Sequence, residues 1–124
     1  SWDALAYELT HKMPVSFEVG YPTYKKLKEQ YGINSATVQT FLTILSHQPD
    51  TLISRKYDTS TSGRVKDDAK IILDKGGILT PEGRSLLLKF DQDLMSKKYN
   101  PGTTADLTAS SLMIALLDEH WETE

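Results

Sequence analysis

Apolar residues recur at the spacing of an α-helix along almost the whole chain, and this pattern restricts the folds that the sequence can adopt. Near the N-terminus, for example, the pattern i, i+3, i+4, i+7 is formed by Trp2, Leu5, Ala6 and Leu9. No segment alternates between apolar and polar residues for long enough to predict a strand, and the one doubtful piece is PVSFEV, residues 14–19. The sequence therefore predicts an all-α protein.

About six helices are expected, with boundaries set by cap and turn residues. They lie near residues 2–10, 22–31, 35–48, 64–75, 81–98 and 104–122. Asn34 or Ser35 is expected to cap the third helix. Thr80 and Pro81 predict a strong start for the fifth, because a hydroxyl cap is followed by proline in the first turn.

Prolines and glycines predict the breaks between these helices. Pro14, Gly20 and Pro22 predict a loop or a single turn before the second helix. The pair Gly76–Gly77 predicts the end of the fourth. The stretch DTLISRKYD, residues 50–58, is too short for an independent helix and is expected to form a turn or two.

Length, charge and composition narrow the class of protein. The chain has 124 residues, so residues 1–124 are expected to form a single helical domain. Its net charge is −3 and its 14 basic residues are scattered, so we expect no nucleic acid partner, and pairs such as Lys97–Lys98 are interpreted as solvated helix faces. No apolar run approaches the ~20 residues that span a bilayer, and the missing signal peptide favours the cytoplasm.

The start of the last helix carries more polar groups than a plain helix start needs. Gly102 can adopt a positive φ, and helix starts favour anions, so the candidate phosphate ligands here are Asn100, Gly102, Thr103 and Thr104. Asp106 would repel a phosphate unless Mg²⁺ lies between them, or unless Asp106 accepts a hydrogen bond from a ribose hydroxyl. Alternatively, Thr104 only caps the helix and Asp106 complements the helix dipole.

A second polar stretch, HQPDTLISRK, spans residues 47–56. Arg55 can bind a phosphate through two parallel hydrogen bonds, and Lys56 can add a point charge. The alternative is a polar helix junction in which Asp50 caps the turn and Arg55 pairs with a nearby acid. A third candidate, Glu18, lies between two apolar residues and is either exposed or held in an apolar setting.

Three stretches, in this order, resemble one family. They are FEVGYPT (17–23), PDTLISRK (49–56) and NPGTTADLTASSLMIALL (100–117). They are similar to the C-terminal half of the triphosphoribosyl-dephospho-CoA synthase family, especially its archaeal-type members. The resemblance implies an all-α enzyme that joins ATP to 3′-dephospho-CoA, whose 2′-hydroxyl displaces adenine from the ATP ribose. The product is the precursor of a prosthetic group of citrate lyase or malonate decarboxylase.

This reaction suggests roles for the candidate residues. Asp106, Thr103 and Thr104 would hold a Mg²⁺-triphosphate, and Arg55 and Lys56 would contact its oxygens. The catalytic carboxylate near the ribose would be Glu18 or Asp50, because displacement of adenine builds oxocarbenium character that a carboxylate stabilises. The expected ligands are therefore ATP, dephospho-CoA and Mg²⁺.

Members of this family are longer than the present chain, so we expect a fragment, a separately encoded half or a degenerate relative. Two classes of function follow. One is an enzyme half that acts with its missing N-terminal half, and the other is a non-catalytic helical module for nucleotide or CoA binding or for oligomerisation. In both cases we expect an apolar surface on the last helix for that missing half or for a second copy of the chain, formed by Leu112, Met113, Leu116 and Leu117.

Overall fold

A computed structural model of the chain describes residues 1–123, and seven α-helices account for most of them. They are α1 (Trp2–Lys12), α2 (Tyr21–Tyr31), α3 (Ile33–His47), α4 (Thr51–Lys56), α5 (Thr59–Asp74), α6 (Pro81–Lys97) and α7 (Gly102–Thr123). A π-helix, Ser16–Gly20, precedes α2, and a 3₁₀ turn, Gly77–Leu79, precedes α6. These residues contain no strand, so the all-α prediction is confirmed. No helix among them is both long and apolar enough to cross a bilayer.

Residues 14–20 are helical, although the sequence predicted a loop or a single turn there and PVSFEV was a doubtful strand. Pro14 stands at the start of a helical turn, where its missing N–H is not needed. Gly20 continues into α2 with ordinary right-handed helical angles. A Cβ on Gly20 would lie only 1.9 Å from Ser111 Oγ of α7, so close packing, rather than a break in the chain, requires glycine here.

Helix α5 begins at Thr59, five residues before the predicted start at 64. Asp58 caps it by accepting a hydrogen bond of 2.6 Å from the backbone N–H of Thr61. The buried Ser62 lies 2.6 Å from the hydroxyl of Ser54 on α4. The polar run at the start of α5 is therefore helical because a cap and a neighbouring helix satisfy its polar groups.

The predicted caps of the other helices have mixed outcomes. The cap at Asn34 or Ser35 is wrong, because α3 begins directly after Gly32, whose φ is +86°. Thr80 caps α6 as predicted, since its Oγ1 accepts a 3.0 Å hydrogen bond from the N–H of Gly83. The glycine pair also ends α5 as predicted, and Gly76 has the left-handed conformation that favours glycine.

Helix α3 is the central helix, because it contributes to both apolar clusters of the core. Leu42 and Leu45 are fully buried, and their cluster continues through Ile53 on α4, Val65, Ala69 and Ile72 on α5, and Phe90 on α6. At the other end of α3, Ala36 packs with Tyr24 of α2 and Ala115 of α7. Val38 and Phe41 of α3 are half-buried and pack against the edge of this core.

Helix α7 differs from an ordinary amphipathic helix, because one of its buried stripes is polar. The buried polar side chains on this stripe are Thr104, Thr108, Ser111 and Asp118. Met113 and Leu116, in contrast, are each 63% exposed. The polar stripe makes hydrogen bonds to other elements, including Ser16 and Asp50, while part of the apolar surface of α7 faces outward.

The contact of Gly20 with Ser111 gives a stability prediction. Replacing Gly20→Ala forces a methyl group against the Ser111 hydroxyl and the Ile44 side chain, so we expect a loss of about 1–3 kcal/mol in the free energy of unfolding, measured in urea. The control is Gly63→Ala, in the interior of α5, where the new methyl group meets no atom within 4 Å apart from its chain neighbours and the backbone of its own helix. That change should stabilise the protein by about 0.5–1 kcal/mol. Equal effects at the two positions would contradict the packing argument.

Candidate functional site

Asp50 joins the starts of two helices. Its side chain is 2% exposed, and its Oδ1 accepts hydrogen bonds from the N–H groups of Leu52 (2.9 Å) and Ile53 (3.1 Å) at the start of α4. Its Oδ2 accepts two more, each 2.7 Å long, from the backbone N–H and the hydroxyl of Thr104. The capping interpretation of Asp50 is therefore confirmed, and the same carboxylate also caps α7.

The other small and hydroxylated residues at the start of α7 also contact α4. The hydroxyl of Thr103 lies 2.8 Å from that of Thr51. Gly102 lies inside α7 and does not have the positive φ that the sequence suggested, but a Cβ there would lie 2.6 Å from Leu52. The alternative in which Thr104 caps the helix is also wrong, because α7 already begins at Gly102 and the Thr104 hydroxyl donates to Asp50. Packing between α4 and α7 thus explains these three residues.

Asp106 is not explained in this way. Because α7 begins at Gly102, Asp106 is its fifth residue and lies beyond the first turn, where a carboxylate complements the helix dipole most effectively. Its side chain is exposed. The described residues contain no group of three or more His, Cys, Asp or Glu side chains that could hold a metal ion, so a metal at Asp106 would need ligands from elsewhere.

An open groove of about 400 Å³ lies beside the start of α7. Its apolar wall includes Phe41 of α3 and Leu94 of α6, together with Tyr99. Its polar lining includes Lys56 and Asn100, two of the predicted phosphate ligands, together with Lys98 and Asp91. The lining of the groove thus combines apolar side chains with two lysines. It is the place where the structure brings residues of the predicted site together. We name it the α4–α6 groove.

Arg55 and Glu18 are among the predicted site residues that do not line this groove. Arg55 is exposed and its Nε donates to the carbonyl of Thr51, 3.3 Å away, so it lies on the side of α4 that faces Thr103. Glu18 is exposed on the π-helix, which contacts α7 through a 3.0 Å hydrogen bond from the Ser16 hydroxyl to the Leu107 carbonyl. The exposed alternative for Glu18 is the one that the structure shows.

A cluster around the buried Asp118, which the sequence did not indicate, lies further along α7. The Tyr21 hydroxyl donates to Asp118 Oδ2, and Lys25 Nζ lies 2.8 Å from the same oxygen. Burial alone would raise the pKa of Asp118, but the hydrogen bonds from Lys25 and Tyr21 hold it below its usual value. Burial and the bond to Asp118 raise the pKa of Tyr21. The cluster fixes the later turns of α7 to α2.

Comparison with known proteins gives a match along the whole chain. The family model described as CitG, ATP:dephospho-CoA triphosphoribosyl transferase, matches residues 1–124. A probable 2-(5″-triphosphoribosyl)-3′-dephosphocoenzyme-A synthase of Pseudomonas fluorescens strain Pf-5 is 30% identical over 108 residues, which are 86% of this chain and 37% of the relative. The 2-(5″-triphosphoribosyl)-3′-dephosphocoenzyme-A synthase of Klebsiella pneumoniae is 30% identical over 89 residues, which are 71% of this chain and 30% of the relative.

The chain therefore spans about a third of the length of the curated relatives that it matches. No solved structure matches it at a significant level.

The four hydrogen bonds of Asp50 give a prediction that separates its structural role from the predicted catalytic one. Asp50→Asn places an amide N–H₂ among donors that need acceptors, so we expect a loss of about 3 kcal/mol in the free energy of unfolding, measured in urea. The control is Asp58→Asn, at the exposed cap of α5, where asparagine caps as well as aspartate and the change should be near zero. A stable Asp50→Asn protein would contradict the structural role.

Proposed function

Because the chain belongs to the ATP:dephospho-CoA triphosphoribosyl transferase family, we propose that it is part of a triphosphoribosyl-dephospho-CoA synthase. In this reaction the 2′-hydroxyl of dephospho-CoA forms a bond to C1′ of the ATP ribose. The bond from C1′ to adenine breaks, and adenine leaves with the proton of the hydroxyl. Since the chain spans about a third of its curated relatives, we propose that it supplies one side of the site.

The observation that supports this proposal is the α4–α6 groove, where an apolar wall meets Lys56, Lys98 and Asn100. Nucleotide and CoA-type ligands are partly apolar and carry phosphates, so they need both kinds of surface. Lysine contacts phosphates as a point charge. Arg55, on the neighbouring side of α4, and Thr103 of α7, which contacts that side, are proposed as further phosphate contacts at the edge of the site.

We propose Asp106 as the residue that holds Mg²⁺ together with the triphosphate. Mg²⁺ is commonly bound by one or two carboxylates, and substrate phosphates and water supply its other ligands. The single exposed carboxylate of Asp106 fits such a mixed shell, and no protein-only metal cluster exists among residues 1–123. The metal would neutralise the charge of the triphosphate. For the carboxylate near the ribose we retain Glu18 and not Asp50, whose oxygens already accept four hydrogen bonds.

A non-catalytic helical module is the second candidate. One observation favours it: contacts with α4 account for Gly102, Thr103 and Thr104 without any ligand. An oligomerisation module that binds no ligand differs from part of a synthase in whether nucleotides bind. Calorimetric titration with Mg²⁺-ATP and with dephospho-CoA distinguishes them. If neither ligand gives a heat of binding, the result supports the non-catalytic module.

The role of Asp106 can be tested in the same titration. Asp106→Ala should abolish Mg²⁺-dependent ATP binding and change the free energy of unfolding by well under 1 kcal/mol, because Asp106 lies beyond the first turn of its helix. The control is Asp3→Ala, which removes an exposed aspartate from the first turn of α1. It should leave ATP binding unchanged and cost about 0.3–1 kcal/mol of stability. Unchanged ATP binding by Asp106→Ala would refute the metal role.

The exposed apolar side of α7 is proposed as a contact for the rest of the family fold or, without it, for a second copy of the chain. Of the four leucine and methionine residues predicted for this surface, Met113 and Leu116 are strongly exposed, and Leu112 and Leu117 are half-buried. A second open groove of about 400 Å³ adjoins this side of α7, between it and α3, with a lining that includes Val38, Phe41, Ala105, Ala109 and Leu112. Exposed apolar surface of this kind is typical of protein contacts.

Sedimentation velocity measures whether this surface joins copies of the chain. We expect a dimer or higher oligomer that Leu116→Glu converts to a monomer, because a charge in an apolar interface is costly. Leu88→Glu is the matched control, since Leu88 is a leucine of similar exposure on α6, and it should leave the oligomer intact. A monomeric parent chain at high concentration would contradict self-association.

A further inference from the structure

Lys98 occupies a backbone conformation that usually belongs to glycine. Its φ is +60° and its ψ +35°, and among the described residues with positive φ it alone is not a glycine. The chain leaves α6 in a Schellman motif, in which Tyr99 N–H donates to the Leu94 carbonyl (2.9 Å) and Lys98 N–H to the Met95 carbonyl (3.2 Å). The left-handed position of this motif favours glycine, because a Cβ is strained there. The geometry of this helix end therefore favours glycine and gives no reason for a lysine at position 98.

The surroundings hold Lys98 in this conformation. The hydroxyl of Tyr57 donates to the Lys98 carbonyl at 3.0 Å, and the rings of Tyr57 and Tyr99 meet edge to face with 4.8 Å between their centroids. Lys98, held in this way, lines the α4–α6 groove together with Lys56. Strained residues that the surrounding structure enforces are concentrated at functional sites.

The charges of the groove are arranged along α6. Lys98 follows the C-terminal end of the helix, and Asp91, which also lines the groove, lies seven residues earlier, or about 10 Å along the helix axis. Leu87 and Leu94 supply apolar surface on the same side of α6. The groove thus fits a ligand whose anionic end lies at the lysines and whose apolar body lies against the leucines. Such a ligand would place a hydrogen-bond donor near Asp91. The apolar wall and two lysines of the groove match a triphosphate poorly, since a triphosphate carries up to four negative charges.

We propose that the α4–α6 groove binds the pantetheine arm of dephospho-CoA, and that the diphosphate joining this arm to adenosine lies at Lys98 and Lys56. The arm runs along α6 toward Asp91, whose carboxylate can accept a hydrogen bond from one of its amide N–H groups. This inference rests on the proposed function and assigns one of its two substrates to a specific surface. In this proposal Lys98 determines specificity. The need to bind this substrate explains why the protein has a lysine at a position where glycine would make it more stable.

The test is calorimetric titration of dephospho-CoA, 4′-phosphopantetheine and Mg²⁺-ATP into the parent chain and three variants. Lys98→Gly should weaken binding of dephospho-CoA and 4′-phosphopantetheine by about tenfold, the effect of one lost charged hydrogen bond, and leave ATP binding unchanged. Its melting temperature should rise, so unfolding cannot explain the lost affinity. Lys98→Arg should retain binding of both ligands, because it keeps the charge.

Lys97→Gly is the matched control. Lys97 is the last residue of α6 and lines a different cleft, beside Arg64 and Asp68. Its replacement should lower the melting temperature and leave the affinity for dephospho-CoA unchanged. If dephospho-CoA and ATP bind but Lys98→Gly has no effect, or if 4′-phosphopantetheine does not bind, this inference is wrong and the proposed function stands. If neither dephospho-CoA nor ATP binds, the proposed function is wrong and the inference with it.

Discussion

The carboxylate of Asp50 accepts hydrogen bonds from the starts of two helices, and the arrangement of the site depends on it. Its Oδ1 satisfies N–H groups of α4 and its Oδ2 satisfies the N–H and hydroxyl of Thr104 in α7. A buried carboxylate is costly unless donors surround it, and here the positive ends of two helix dipoles supply those donors. Because α4 carries Lys56 and α7 carries Asp106, this single group sets the relative position of the proposed cation and metal ligands.

The three stretches that resemble the family all meet at α7. In the first, Gly20 leaves room for Ser111, whose hydroxyl donates to the Leu107 carbonyl at 2.7 Å. In the second, Asp50 binds Thr104. The third stretch is α7 itself with the turn before it. Much of the similarity between this chain and its family therefore lies in residues that assemble the fold, and shared sequence there does not by itself identify a ligand contact.

Local signals in the sequence were sufficient where a helix carries its own cap and apolar stripe, as α6 does with Thr80 and Pro81. They were insufficient where the partner is distant in the chain. The start of α5 was missed because its polar residues are satisfied by α4, and Asp50 could be recognised as a cap of α4 but not as the partner of Thr104, 54 residues away. The left-handed conformation of Lys98 has no sequence signal, because glycine is the residue expected there.

The two sides of α7 make different kinds of contact. A helix that packs only within its own domain buries apolar residues and exposes polar ones. Here Thr104, Thr108 and Ser111 are buried with their hydroxyls bonded inside the chain, and Met113 and Leu116 face outward. Hydrogen-bonded contacts fix the helix to this chain, while the outer apolar surface is available for a second contact. The same helix carries Asp106 at its start, so a partner bound to its outer surface would lie beside the proposed metal ligand and could complete the site.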